Sequence, residues 1–327
     1  MANRTHTEKA ILGGISMIIS FSGLGICNVI VAAIILFSRK LRSQVTYVLV
    51  FLLSITDLSA CLTWGLAEGL EAVYFGPAKS TEPQDLARLD ALCRWAGAWG
   101  WFCLFASPVG QALIAVNRFT AVFAPTVYRN AFSMKKAIAL WAISVWLFTF
   151  FVVFFLAGTR LLGSFTVLPT FGICMIDGRL PLWKFAMDAM FIYIPCLIML
   201  ICYIAIFLKI KTTRTVATKA EIQKRARGSR MMFWCFVGFV VCIIPAPIYY
   251  QIAGTTGKLN ISDDDSLWAY GVMMILGLNY GINLLFYILF NPTFRREAKS
   301  LFGRFKNGQV DTAPSLFKST SAGVQKI

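Results

Sequence analysis

Seven long stretches of this chain hold no charged side chain or only one, and they decide what it can fold into. They lie between Lys9 and Arg39 (29 residues), Arg42 and Glu68 (25, with only Asp57), Arg94 and Arg118 (23), Lys136 and Arg160 (23), Lys184 and Lys209 (24, with only Asp188), Arg230 and Lys258 (27), and Asp265 and Arg295 (29). A helix that crosses a bilayer needs about 20 mostly apolar residues, so every window is long enough. Lipid offers no partners to backbone N–H and C=O groups, so crossing segments must be helical. The expected fold is all-α, a bundle of seven transmembrane helices. Composition agrees: 58% of the residues are hydrophobic and 14% charged, where a soluble domain carries about 45–50% and about 25%. A soluble enzyme or nucleic-acid binder of that balance would leave apolar surface uncovered. The first window far exceeds the roughly 7–15 apolar residues of a cleavable signal and is expected to stay as a span.

Charge sets the orientation. Of 31 Lys and Arg, 22 follow the first, third, fifth and seventh windows and 9 lie on the other side. Acidic residues reverse this, with only Glu221, Glu297 and Asp311 on the basic side and ten opposite. The basic side belongs in the cytoplasm, which puts the N-terminus outside and the C-terminus inside. The formal charge of +16 is thereby explained by a lipid membrane, and nucleic acid is not an expected partner. Residues 1–305 form the membrane domain, and 306–327 are a polar cytoplasmic tail expected to be disordered.

Two sequons, Asn3-Arg4-Thr5 and Asn260-Ile261-Ser262, fall on the expected outer face, where glycosylation occurs. Seven of the nine cysteines lie within spans, where an unpaired thiol acts as a small hydrophobe. Cys93, at the outer end of the third span, and Cys174, in the second outer loop, sit in an oxidising compartment and are expected to pair.

An ionisable group at mid-membrane costs about 2.5–3.5 kcal/mol on insertion scales, so Asp57 needs compensation. Asn28, Ser107, Asn279 and Asn283 lie at comparable depths, and Asn279, Asn283 and Tyr287 follow i, i+4, i+8 spacing along one helix face. Two readings stand together: a hydrogen-bonded or hydrated functional centre, with room for Na+, and polar packing between helices. Arg118 ends the third span, as a snorkelling cation or a functional one. Pro108, Pro195, Pro245 and Pro247 each remove a backbone donor inside a window and can kink its helix as a static bend or a pivot.

These residues in this order resemble the rhodopsin-like superfamily of G-protein-coupled receptors over about residues 12–305. The resemblance is carried by Asn28 in the first span, Asp57 after Leu53-Ser54-Ile55-Thr56, and Cys93 followed 25 residues on by Arg118. Trp141, Pro195 with Tyr203, then Phe239, Cys242 and Pro245 continue it, and Asn279, Asn283, Tyr287 and Asn291 complete it. Phe294-Arg295 would open a short amphipathic helix after the seventh span. The segment from Asn117 to Pro125, with Tyr128 and Phe132-Ser133, is similar to the nematode-type serpentine chemoreceptors of class X. That resemblance implies a multi-pass plasma-membrane receptor, on the sensory cilia of chemosensory neurons, that detects small external molecules through a heterotrimeric G protein. Asn117, Arg118, Tyr203 and Tyr287 would form the coupling and activation switch. Thr312, Ser315, Ser319, Thr320 and Ser321 in the tail suit kinases and arrestin-like partners.

The chain departs from that pattern in places. Asn117 replaces the acid beside the arginine, and Arg225 stands near where the sixth span often supplies another acid, so a loosely held inactive state is expected. Leu284 replaces the seventh-span proline, so less bending is expected near Asn283. Gly100 falls where amine receptors carry an aspartate, and no lysine in the seventh span could bind retinal.

The expected ligand pocket is aromatic and apolar, lined by Trp99, Gly100, Trp101, Leu104, Asp188, Ala246, Tyr250 and Met273. Asp188 either faces that pocket or is a solvated carboxylate at the outer boundary. Trp95 and others of these aromatics can instead belong to an interfacial belt. No enzyme, metal site or cofactor other than Na+ is expected; the only histidine is His6. A peptide ligand is the rival within the family, and a transporter or channel the rival outside it, although no internal repeat of the transporter kind is present.

Overall fold

A computed structural model of the chain describes residues 2–67, 69–70, 73, 83–158, 165–168, 173–176, 181–212, 234, 236–249 and 265–306. Helix α1 (Ala2–Phe37) stops at Ser38, whose Oγ accepts from Leu41 N at 3.2 Å and caps the one-turn α2 (Arg39–Arg42). Helix α3 (Val45–Ala60) continues into wide π-type turns over Cys61–Ala67. Helix α4 (Pro83–Phe123) runs unbroken through Pro108. Pro125 then opens α5 (Pro125–Ala131) at a position where no helical N–H is needed.

Helices α6 (Met134–Trp141) and α7 (Phe148–Gly158) are joined by wide turns over Ala142–Leu147. In the same way α8 (Pro181–Asp188) and α9 (Ile194–Thr212) are joined over Ala189–Tyr193. Pro195 follows directly and has no N–H to return to the preceding turn, and the widened backbone accommodates that loss. Helix α10 (Phe236–Tyr249) bends at Ile244, the residue before Pro245. The chain closes with α11 (Asp265–Leu278), α12 (Ile282–Phe290) and α13 (Pro292–Lys306).

Five helices are long and apolar enough to cross a membrane: Ile11–Phe37, Val45–Ala67, Trp95–Phe123, Met134–Phe154 and Phe185–Ile210. They coincide with the first five charge-poor windows. The sixth window supplies the shorter apolar α10, and the seventh the interrupted pair α11 and α12. Of the apolar window in α4, 78% is buried, against 28% for Met134–Phe154 and 33% for Ile11–Phe37, so α4 is the central post and the others surround it. Large side chains on the outer helices, among them Leu12, Leu147, Phe151 and Val241, point outward. Such surface is stable only against lipid.

One short hairpin accompanies the helices. Strands β1 (Phe165–Leu168) and β2 (Ile173–Ile176) pair antiparallel, with Phe165 opposite Ile176 and Val167 opposite Cys174, and the hairpin packs on α4. Runs of four residues are too short for alternation to be read reliably from sequence.

The helix of the seventh window is interrupted at 279–281 although it lacks the proline whose replacement by Leu284 led to the expectation of less bending near Asn283. Between α11 and α12 the amides of Asn279, Tyr280 and Gly281 bond to the carbonyls of Leu276, Gly277 and Leu278, three residues back, at 2.9–3.1 Å. The reason lies in α1. A Cβ on Gly277 would meet Phe21, and one on Gly281 would meet Leu24, so the two glycines let α1 come close. Asn28 Nδ2 then donates to the carbonyl of Tyr280 in place of a backbone amide.

Candidate functional site

Asp57 is fully buried on α3 at mid-bundle. Asn283 of α12 donates from Nδ2 to Asp57 Oδ2 at 3.3 Å, so the expected contact between these two residues is made. Ser107 of α4 is the carboxyl's other polar neighbour, yet its Oγ and Asp57 Oδ1 are not in hydrogen-bonding geometry with any described residue. Asn279 is also fully buried, and neither polar atom of its side chain has a hydrogen-bond partner among the described residues. A buried polar group left unpaired costs about 1–3 kcal/mol. Asp57 Oδ1 and Ser107 Oγ, neighbours across α3 and α4, are two such atoms, and a place of this kind suits water or one small cation.

The expected stripe of amides does not close around the carboxylate as a unit. It assumed one continuous helix through Asn279, Asn283 and Tyr287, and the turn at 279–281 breaks that period. Asn28 is buried but turned elsewhere, donating to the carbonyls of Tyr280 and Leu24, the latter at 3.2 Å. It holds the turn that precedes Asn283.

The end of the bundle expected from the charge pattern to be cytoplasmic carries Asn117, Arg118, Tyr203 and Tyr287, the residues expected to act as the switch. Asn117 is fully buried, and its Oδ1 accepts from Thr46 Oγ1 of α3 at 2.8 Å. Arg118 is half-buried, with no hydrogen-bond partner for its Nε among the described residues. Tyr203 of α9 is buried against Phe236 of α10, ring centres 5.8 Å apart, and Tyr287 of α12 against Phe294 of α13, 5.4 Å apart. Asn291 joins these elements at the start of α13. Its Oδ1 accepts from Phe294 N at 3.1 Å, and its Nδ2 donates to Tyr47 Oη of α3 at 2.8 Å.

At the end expected to face outward, Gly100 is not open to a pocket. A Cβ there would overlap the indole of Trp64, which fills the space between α3 and α4. Trp99 donates from Nε1 to Ser59 Oγ at 2.6 Å and packs edge-on against Phe150 and Phe154 of α7, so it joins α3, α4 and α7. Trp95 is 69% exposed and fits an interfacial belt. Trp101 packs edge-on against Phe105, which stacks on Phe191 at 5.0 Å. Leu104, Ala246 and Asp188 are buried. The solvated reading of Asp188 is therefore overturned; the carboxylate sits inside α8 at the start of the wide turns before Pro195.

The side chain of Met273 and the whole of Tyr250 lie outside the described residues, as do Asn260 and Arg225. Cys93 belongs to the backbone of α4 and Cys174 to β2, with their sulfurs outside the described set, and Asn3 is described only as helix backbone. Sequence reasoning missed Thr46, Tyr47, Ser59 and Trp64. The first two stand beside each other at the inner end of a charge-poor window, a position where polar side chains suit inter-helix bonds. Nothing in the sequence marks Ser59 or Trp64.

A family model described as 7 transmembrane receptor (rhodopsin family) matches residues 27–278. The match spans Asn28, Asp57, Ser107, Asn117, Arg118 and Tyr203, and ends at Leu278, next to the turn that holds Asn279.

Proposed function

The chain belongs to the rhodopsin family of seven-transmembrane receptors, and from that premise we propose that it crosses the plasma membrane seven times, N-terminus outside, and relays an external chemical stimulus to a heterotrimeric G protein. The observation that carries this reading is the fully buried Asp57 held by Asn283 in the middle of the bundle. A lone carboxylate at such depth costs more than packing alone recovers, which supports a functional centre.

The stimulus is proposed to be a small external molecule of the kind detected by nematode-type class X chemoreceptors, on the strength of the segment from Asn117 to Ser133. The buried Trp101, Leu104, Phe105, Phe191 and Ala246 support an apolar binding region, with Asp188 as its one carboxylate. Trp64 over Gly100 moves that region towards α8 to α10. Sensory cilia, glycans at Asn3 and Asn260, a Cys93–Cys174 disulfide, and kinase or arrestin-like partners at the tail belong to the same proposal.

Ligand acts by binding more tightly to the conformer in which the inner end of the sixth span swings outward, uncovering Arg118, Tyr203 and Tyr287 to the G protein. Na+ is proposed to bind at Asp57, a reading supported by the unpaired Oδ1 of Asp57 and Oγ of the neighbouring Ser107; bound there, it would favour the resting conformer.

The test is expression with a chimeric G protein and a screen of odorant and peptide libraries. A second-messenger response that disappears in Arg118→Ala and under G-protein blockade is expected. Ligand-evoked ion current in a bilayer lacking G protein would instead establish a channel. Activation by peptides alone would move the ligand class.

A further inference from the structure

We propose that α4 carries a bound-water site at Pro108, in which ordered water joins Asp57 and Ser107 to Gln111 and extends the polar centre of the bundle one helical turn towards Arg118. Gln111 lies on α4 one turn beyond Ser107. Its side chain is only 8% exposed, and its Nε2 has no hydrogen-bond partner among the described residues. A carboxamide buried at that depth carries two N–H donors that neither lipid nor apolar side chains can serve.

Helix geometry brings the unserved groups together. Helix α4 is unbroken from Pro83 to Phe123, so the Cβ atoms of Ser107 and Gln111, at i and i+4, stand about 6 Å apart on one face. Ser107 is fully buried with its Oγ unpaired, and its neighbour across the bundle is the carboxyl of Asp57, whose Oδ1 is also unpaired. Between the two positions lies Pro108, which has no N–H to return to the carbonyl of Leu104. A helical carbonyl points along the axis towards the following turn, here the turn of Ser107 and Gln111.

The four groups complement one another through water. Gln111 Nε2 donates, Asp57 Oδ1 and the Leu104 carbonyl accept, and the Ser107 hydroxyl can do either. A buried water makes about three hydrogen bonds and both donates and accepts. A cation beside Gln111 would meet the N–H groups of the amide, and an apolar guest would serve none of the four, so water is the ligand. Arg118 stands on the same face, about 10 Å further along the axis from Gln111, with its Nε unpaired. Helical Cβ bonds tilt towards the N-terminus, in the direction of Gln111. The hydrated step therefore lies between the mid-bundle carboxyl and the arginine.

The test is hydroxyl-radical labelling of the purified full-length receptor by an X-ray pulse, read by mass spectrometry, because radicals formed from a bound water modify the side chains beside it. The receptor is held in N-methylglucamine chloride, so the result does not depend on sodium at Asp57. Leu104 and Ile114, buried on either side of the site along the same face, should be labelled in the parent. Gln111→Leu should lower that labelling by at least about threefold, while Ile34 and Ile35, buried in α1, stay unchanged. Damaged folding would raise labelling at all four positions, so a selective fall is not its signature.

The thermal midpoint of the same variant supplies an independent measure. A dry, unpaired amide destabilises the protein, and its replacement by Leu would then raise the midpoint. With water in place, Gln111→Leu dismantles a satisfied network, and the midpoint should fall by a few degrees. Absence of labelling at Leu104 and Ile114 in the parent, labelling unchanged in Gln111→Leu, or a raised midpoint would each overturn the proposal. A receptor that activated no G protein would overturn the signalling function while leaving this labelling as it is.

Discussion

Thr46 Oγ1 donates to Asn117 Oδ1 at 2.8 Å in a buried contact between α3 and α4, so the residue just ahead of Arg118 is held by a neutral pair. An ionised acid at this position would carry charge next to the arginine; the amide carries none. If the proposed switch operates here, its restraint at this point is one ordinary hydrogen bond.

Thr46→Val keeps the side chain's shape and removes its donor. A net hydrogen bond is worth about 1 kcal/mol, which moves a two-state equilibrium about fivefold. Second-messenger output without ligand, at matched surface expression, should therefore rise severalfold in Thr46→Val and fall to background when Arg118→Ala is added. Output equal to the parent's would show that this pair does not restrain the switch.

If Na+ occupies the Asp57 site, it stabilises the receptor by mass action. At about ten times Kd the gain is about 1.4 kcal/mol. The thermal midpoint of the purified receptor should rise by a few degrees in NaCl relative to an equal concentration of an N-methylglucamine salt, and Asp57→Asn should abolish the difference. A sodium response retained in Asp57→Asn would place the ion elsewhere.

Gly100→Ala sets a methyl group into the indole of Trp64. Overpacking of this kind costs about 1–3 kcal/mol, read as a lower thermal midpoint. Because the two positions touch, the loss in Gly100→Ala/Trp64→Leu should be smaller than the sum of the single losses. Strict additivity would mean that the indole does not sit over Gly100.

Asn28→Leu removes the donor that serves the carbonyls of Tyr280 and Leu24. Leaving the Tyr280 carbonyl buried and unpaired should cost about 1–3 kcal/mol, together with surface expression. Asn28→Asp supplies no amide donor and should not rescue it, whereas Asn28→Gln, whose amide can still donate, should do so in part. Thermal midpoints of the three variants decide the point.

The bundle was legible because charge is so costly in lipid that the windows between Lys and Arg mark the helices directly. Asp57 and Asn283 were legible for the same reason, each being a polar residue with few partners within reach. Asn279 was not, since its place in the stripe presumed a helical period that the turn at 279–281 interrupts. That turn has no proline to announce it, and it depends on Phe21, Leu24 and Asn28 from the opposite end of the sequence. The burial of Asp188 turned on about one helical turn of depth, finer than a hydropathy boundary can fix. Trp64 over Gly100 is a contact between two helices, and neither helix alone hints at it.

Holding the Tyr280 carbonyl with a side chain makes the seventh span a jointed shaft. Were α12 to turn beneath α11, the grip of Asn28, the short bonds of the turn, and the bonds of Asn283 to Asp57 and Asn291 to Tyr47 would have to re-form, while the backbone ladder within each half could stay whole. The joint between the two halves is thus pinned from the first helix, by a side chain whose loss would free α11 and α12 from one another.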